Sequence, residues 1–199
     1  MCPIAGIFSK DGHDVSGQID FMLTKMYLSN SSDTWLATPT TIRRWEGAMP
    51  HSRQTTQNKQ ILGQISFITN NKALERPYFS KKSRLLLLYE GNLYNWNELR
   101  SRLKRNYPLS AETATGVVVH LLEERYEDNL EEALREVIQD LDGVYTLALS
   151  DGTEFILLRD SMGGRPAYFA ENDQCVAFAS EKKALWEIGL RNVRPLRAG

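Results

Sequence analysis

Apolar and polar positions divide this chain into short strands and a few amphipathic helices. Ile4, Ala5, Ile7 and Phe8 make an apolar run closed by Lys10-Asp11-Gly12, which predicts a strand over residues 4–9 and a turn after it. Ile19, Phe21, Met22, Leu23, Met26 and Tyr27 recur at helical spacing and predict a helix over 18–28. Residues 29–34 are polar and read as a loop; strand-like runs follow at 35–37, 41–45 and 61–68. Residues 85–89 are continuously apolar and bounded by Glu90-Gly91-Asn92, as expected of a buried strand ending in a tight turn. Helical patterns cover 96–103, 113–126 and 130–139. A β-rich block then places strands at 144–149, 155–159, 167–170 and 176–179, with a hairpin turn at Asp151-Gly152. A short helix over 182–189 ends the compact part.

Strands, then helices, then strands with hairpins predict an α+β fold in which antiparallel sheets are covered by helices. The strand-helix alternation of a parallel doubly wound sheet is absent. No internal repeat, low-complexity tract or linker interrupts the chain, so residues 1–199 read as a single domain.

Composition narrows the function classes. A net charge of −1 gives no electrostatic footprint for nucleic acid or an anionic membrane. The apolar run at 85–89 is far too short to span a bilayer, and the start lacks a signal-peptide pattern. His13, His51 and His120 lie far apart and suggest no metal cluster. Cys2 and Cys175 make no disulfide framework and suit a reducing, cytoplasmic compartment.

Cys2 carries the candidate chemistry. Removal of Met1 would leave a thiol and a free α-amine on one Cα, and an amine of pKa about 8 is partly neutral at physiological pH. Such an amine can take the nucleophile's proton. The alternative is a small buried residue opening the first strand. Cys175 sits in an alternating strand pattern and reads as a structural thiol.

Several segments together resemble the class II glutamine amidotransferase domain of asparagine synthetases. They are Cys2-Pro3-Ile4-Ala5-Gly6-Ile7-Phe8, residues 89–100 around Glu90-Gly91-Asn92-Leu93-Tyr94-Asn95, Leu141-Asp142-Gly143-Val144-Tyr145, Arg159-Asp160-Ser161-Met162-Gly163, and Phe178-Ala179-Ser180-Glu181-Lys182-Lys183-Ala184-Leu185. The resemblance implies a four-layer αββα Ntn-hydrolase sandwich, two antiparallel sheets between helical layers. It also implies hydrolysis of glutamine or a related small amide. Cys2 would attack the amide carbon, the α-amine would relay the proton, and a thioester would release ammonia. Gly91 would supply a backbone oxyanion donor.

The implied substrate pocket departs from the family at several positions. Glu90 stands where the oxyanion asparagine is expected, Asn92 where an acid is expected, Gln64 where an arginine is expected, and Ala114 where an aspartate is expected. Asn30-Ser31-Ser32-Asp33 keeps only the aspartate of its loop, and Pro3 removes an N–H beside the nucleophile. Losing one oxyanion donor costs about 10²–10³ in rate. An ionised Glu90 about 4 Å from the oxyanion would add roughly 4 kcal/mol of repulsion at an effective dielectric of about 20. An acid and an amide two residues apart on one strand face could instead have exchanged roles. The expectation is weak glutamine turnover, with a silent scaffold or regulatory domain, or an Ntn hydrolase for another amide, as alternatives.

Asp160-Ser161-Met162-Gly163-Gly164-Arg165 lacks the Ser-Gly-Gly-x-Asp-Ser pattern of an ATP-pyrophosphatase and reads as a hairpin turn. The resemblance places ATP and Mg only in a separate synthetase domain or subunit and none in this domain. It admits a homodimer. Residues 189–199 resemble the family's exit strand, so the chain is expected to be a fragment or to act with an ammonia-consuming partner.

Overall fold

The computed structural model describes residues 2–28, 31–48, 58–67, 76–80, 82–104, 107 and 113–199. Strand β1 (Ile4–Ser9) leads through helix α1 (Ser16–Met26) into β2 (Ser31–Ala37), β3 (Ile42–Glu46) and β4 (Gln60–Phe67). Strands β5 (Tyr78–Phe79) and β6 (Leu86–Leu93) precede α2 (Trp96–Arg102), α3 (Ala114–Arg125) and α4 (Leu130–Ile138). Strands β7 (Gly143–Ser150), β8 (Phe155–Arg159), β9 (Tyr168–Glu171) and β10 (Cys175–Ala179), then α5 (Lys182–Glu187) and β11 (Arg194–Pro195), complete the order.

All strand pairs are antiparallel, in one sheet ordered β11-β9-β10-β1-β4-β2-β3 and a second ordered β5-β6-β7-β8. The period-2 alternation of side chains splits each strand between two cores. In β1, Ala5 and Ile7 join Ile19, Met22 and Leu23 under α1 and α5, whereas Ile4 and Phe8 point to the other sheet. In β6, Leu85, Leu87 and Tyr89 pack under α3 and α4, whereas Leu86 and Leu88 meet Ile4, Leu62 and Phe178 between the sheets. The result is the four-layer αββα sandwich that the resemblance implied.

Caps fix the helix starts that the sequence placed to within a residue or two. Thr113 Oγ1 accepts from Gly116 N at 3.1 Å, and Asn129 Oδ1 accepts from Glu132 N at 3.0 Å. The Asp151-Gly152 hairpin joins β7 and β8 as expected.

Three local expectations need correction. Residues 31–34 belong to β2 rather than a loop, because the ladder to β4 and the Asp33–Arg44 ion pair (2.9 Å) stabilise a polar strand; residues 29 and 30 lie outside the described residues. Residue 68, assigned to the strand at 61–68, also lies outside them. Glu90-Gly91-Asn92 is not a turn: pairing to β7 carries β6 through to Leu93. The bend follows at Asn95, whose Nδ2 donates to Asp140 O (2.8 Å) and whose Oδ1 accepts from Asp142 N (3.1 Å). Residues 160–165 are not a hairpin, because β8 and β9 lie in different sheets. Asp160 anchors this crossover, its carboxylate accepting from Tyr145 N (3.0 Å) and Met162 N (2.9 Å).

Candidate active site

The space between the sheets changes from apolar to polar along β1. Antiparallel register sets side chains on one face in rows across the strands. One row of the larger sheet carries Ala37, Leu62, Gly6, Phe178 and Phe169. The next row carries Trp35, Gln64, Ile4 and Ser180, and the row beyond it begins with Asp33 and Ser66. Extending the β1–β4 register by two residues places Cys2 beside Ser66. The facing strand β6 follows the same gradient through Leu86, Leu88, Glu90 and Asn92.

Cys2 is half-buried at the polar end of this layer. The backbone that follows it is fixed from both sides. Pro3 O accepts from Ile65 N (3.0 Å), Ile4 O accepts from Ser180 N (2.9 Å), and Ile4 N donates to Ser180 Oγ (3.0 Å). Pro3 therefore joins the strand through its carbonyl, the one hydrogen-bonding group it has. Cys175 lies in the core under α1, where burial pushes its thiol pKa up.

Glu90 is fully buried, with Oε2 hydrogen-bonded by Ser180 Oγ and Oε1 without a partner among the described residues. Burial pushes its carboxyl pKa above the ordinary value, although Ser180 and the positive charge of Arg165 pull the other way. Gln64, also fully buried, spans the gap between the sheets and donates from Nε2 to Tyr89 O at 3.0 Å. A carbonyl oxygen can only accept, so this bond fixes the amide orientation and leaves Gln64 Oε1 without a partner among the described residues. Trp35, beside Gln64 in the row, has a buried Nε1 donor without a partner among the described residues.

Gly91 is required by contact: a Cβ there would stand 2.2 Å from Val144 O and 2.6 Å from Tyr145 Cα. Asn92 is exposed at the end of β6. The strand thus places Glu90 and Asn92 on one face, the acid buried and the amide at the mouth. Ala114 opens α3 and packs into the core between the smaller sheet and its helices, away from the inner-layer groups.

A family model for the glutamine amidotransferase domain matches residues 64–187, more than half of the chain. The chain belongs to the class II glutamine amidotransferase family. The matched span contains Gln64, Glu90, Gly91, Asn92 and Ala114 and begins after Cys2. The domain is similar to "Putative asparagine synthetase [glutamine-hydrolyzing] 1" of Methanocaldococcus jannaschii, at 31% identity over 65% of this chain and 23% of the relative. It is also similar to the amidophosphoribosyltransferase of Methanothermobacter thermautotrophicus, at 24% identity over 100% of this chain and 46% of the relative. The chain thus spans less than half the length of either curated relative. The solved glutamine phosphoribosylpyrophosphate amidotransferase from B. subtilis shares the fold, with a TM-score of 0.82 at 22% identity over 100% of this chain and 46% of that one.

Trp35 and Arg165 have no signal of their own in the sequence, and Ser180 has one only as part of the segment at 178–185. Ser180 is a serine after an apolar strand; the β1–β10 register sets it beside Ile4, and the packing of the two sheets brings it to Glu90, 90 residues away.

Proposed function

We propose that this amidotransferase domain, once Met1 is removed, hydrolyses the side-chain amide of glutamine and supplies ammonia to an ATP-dependent amide-forming domain or subunit in the cytoplasm. The thiol of Cys2 would attack the amide carbon while its α-amine takes the thiol proton and passes it to the leaving nitrogen. Ammonia departs, and water cleaves the remaining thioester to glutamate. ATP and Mg belong to the partner, which should carry the Ser-Gly-Gly-x-Asp-Ser loop that this chain lacks.

The observation that carries this reading is the polar end of the inter-sheet layer beside Cys2. Among the described residues Gln64 Oε1 is an acceptor without a donor, Trp35 Nε1 is a donor without an acceptor, and Glu90 Oε1 is an oxygen without a partner. Buried polar atoms are normally paired. A primary amide brings both N–H donors and a carbonyl acceptor, and so can meet unpaired groups of both kinds. The acceptor character of Gln64, and of Glu90 whenever it is ionised, favours a low rate and supports the second reading of a domain kept as a scaffold or regulator.

Labelling separates the two. A diazo-ketone analogue of glutamine should add one adduct to the full chain, on Cys2, and glutamine should slow its addition. Equal labelling of Cys175, or an intact Met1 on the purified protein, would overturn the nucleophile assignment.

A further inference from the structure

Glu90, on the smaller sheet, is a buried carboxyl linked through Ser180 to the strand bearing Cys2 in the larger sheet. Its Oε2 meets Ser180 Oγ, and that same Oγ accepts from Ile4 N at 3.0 Å, two residues from the nucleophile. A hydroxyl has one proton to give. Ser180 Oγ, already accepting from Ile4 N, has two acceptors in reach of its proton, Ile4 O at 3.3 Å and the closer Glu90 Oε2, and the closer oxygen takes it. A neutral Glu90 then carries its proton on Oε1, the oxygen that has no partner among the described residues.

We propose that Glu90 works as a neutral carboxylic acid whose Oε1–H donates to the carbonyl oxygen of the amide held at Cys2 and to the oxyanion that follows, so that ionisation of Glu90 shuts the site off. This rests on the reading of the site as an amide-hydrolysing pocket and names the group that regulates it. The two protonation states present opposite chemistry to the same ligand oxygen. The acid supplies the donor that an oxyanion requires, worth about 10²–10³ in rate. The carboxylate removes that donor and repels the developing charge.

The surroundings set the balance between these states. Burial between the sheets opposes ionisation and dominates, and Glu181 at the head of α5 adds to it. Arg165, from the crossover before β9, and the chain's amino terminus favour ionisation. Thr146, the β7 neighbour of Glu90, is a neutral hydroxyl that donates to Arg165 O at 3.2 Å and so fixes the backbone carrying that charge. Gln64 flanks the carboxyl without a charge. Since the carboxyl pKa lies above its ordinary value, hydrolysis should rise as pH falls through it. The α-amine of Cys2 needs the opposite direction, so the two groups give a bell-shaped profile.

The test is the pH profile of glutamate release by the full chain, its Glu90→Gln and Ser180→Ala variants, with infrared spectroscopy on the same samples. Gln at this position is a permanent donor. E90Q should therefore lose the alkaline limb and run about 10²-fold faster than the parent on the alkaline side. S180A, having lost a bond that favours ionisation, should move the limb to higher pH, which a purely structural role would not do. In the parent, the carbonyl band of a protonated carboxyl should vanish with E90Q and shift when a diazo-ketone glutamine analogue occupies Cys2. An unchanged limb in E90Q, or no such band, overturns the proposal. Were no variant to hydrolyse glutamine at any pH, a band shifted by the adduct would uphold Glu90 as the donor and sink the hydrolysis reading alone, while an unshifted band would sink the proposal.

Discussion

At the residue scale, the site consists of groups whose roles depend on how little room and water they have. Gly91 illustrates room: any Cβ would collide with the β7 backbone at Val144 O. Gly91→Ala should cost about 1–3 kcal/mol or more, because the neighbouring atoms are a ladder carbonyl and a Cα that cannot rotate away. A chemical-denaturation midpoint shifted by less than a quarter of that would contradict the register. Glu90 illustrates water. Its pKa is raised in the folded state, so the stability it contributes is present below the ordinary glutamate pKa and lost as pH rises through the raised value. Thermal unfolding of the native protein should therefore fall relative to E90Q over that interval, and parallel curves would contradict the burial effect. Burial also raises the Cys175 thiol pKa, which keeps that residue out of the chemistry.

At the element scale, packing outweighs capping. Leu88, fully buried between the sheets with Ile4 and Phe178, should cost about 2–5 kcal/mol on truncation to alanine. Removing the Asn129 cap of α4 should cost about 1 kcal/mol. Reversal of that order in equilibrium unfolding would mean the inter-sheet layer is not the principal core. The same physics explains what could be read in advance. Strands with apolar faces, such as β1, β6 and β7, and the periodic helices α1, α3 and α4 were legible because burial dictates their pattern. The polar strand at 31–34 was not, because its stability comes from ladder bonds and the buried Asp33. Nor was the run of β6 past Glu90, since Glu-Gly-Asn has turn chemistry locally and strand pairing only through β7. Cys2, Glu90 and Gly91 could be singled out from the motif. That Glu90 answers to Ser180, and that Ala114 packs away from Gln64 and Glu90, depended on long-range register.

At the scale of the whole molecule, the layer between the two sheets runs from apolar side chains to the polar row beside the start of the chain. Residues 189–199 do not hang free of the sheets. Arg194 and Pro195 pair with β9, Leu196 N donates to Ala167 O (2.8 Å), and the Arg194 guanidinium lies 5.0 Å over the Phe169 ring. Residues 194–196 are thus held on the sheet that carries Cys2. The central claim, slow amide hydrolysis by Cys2, is tested most directly by glutamate release from glutamine. The purified chain, its first residue verified by mass, is compared near neutral pH with Cys2→Ala. The expected result is release that depends wholly on Cys2 and stays below about 1 s⁻¹, the lower edge of ordinary turnover. Equal release by Cys2→Ala, or turnover well inside the ordinary range, would contradict the account.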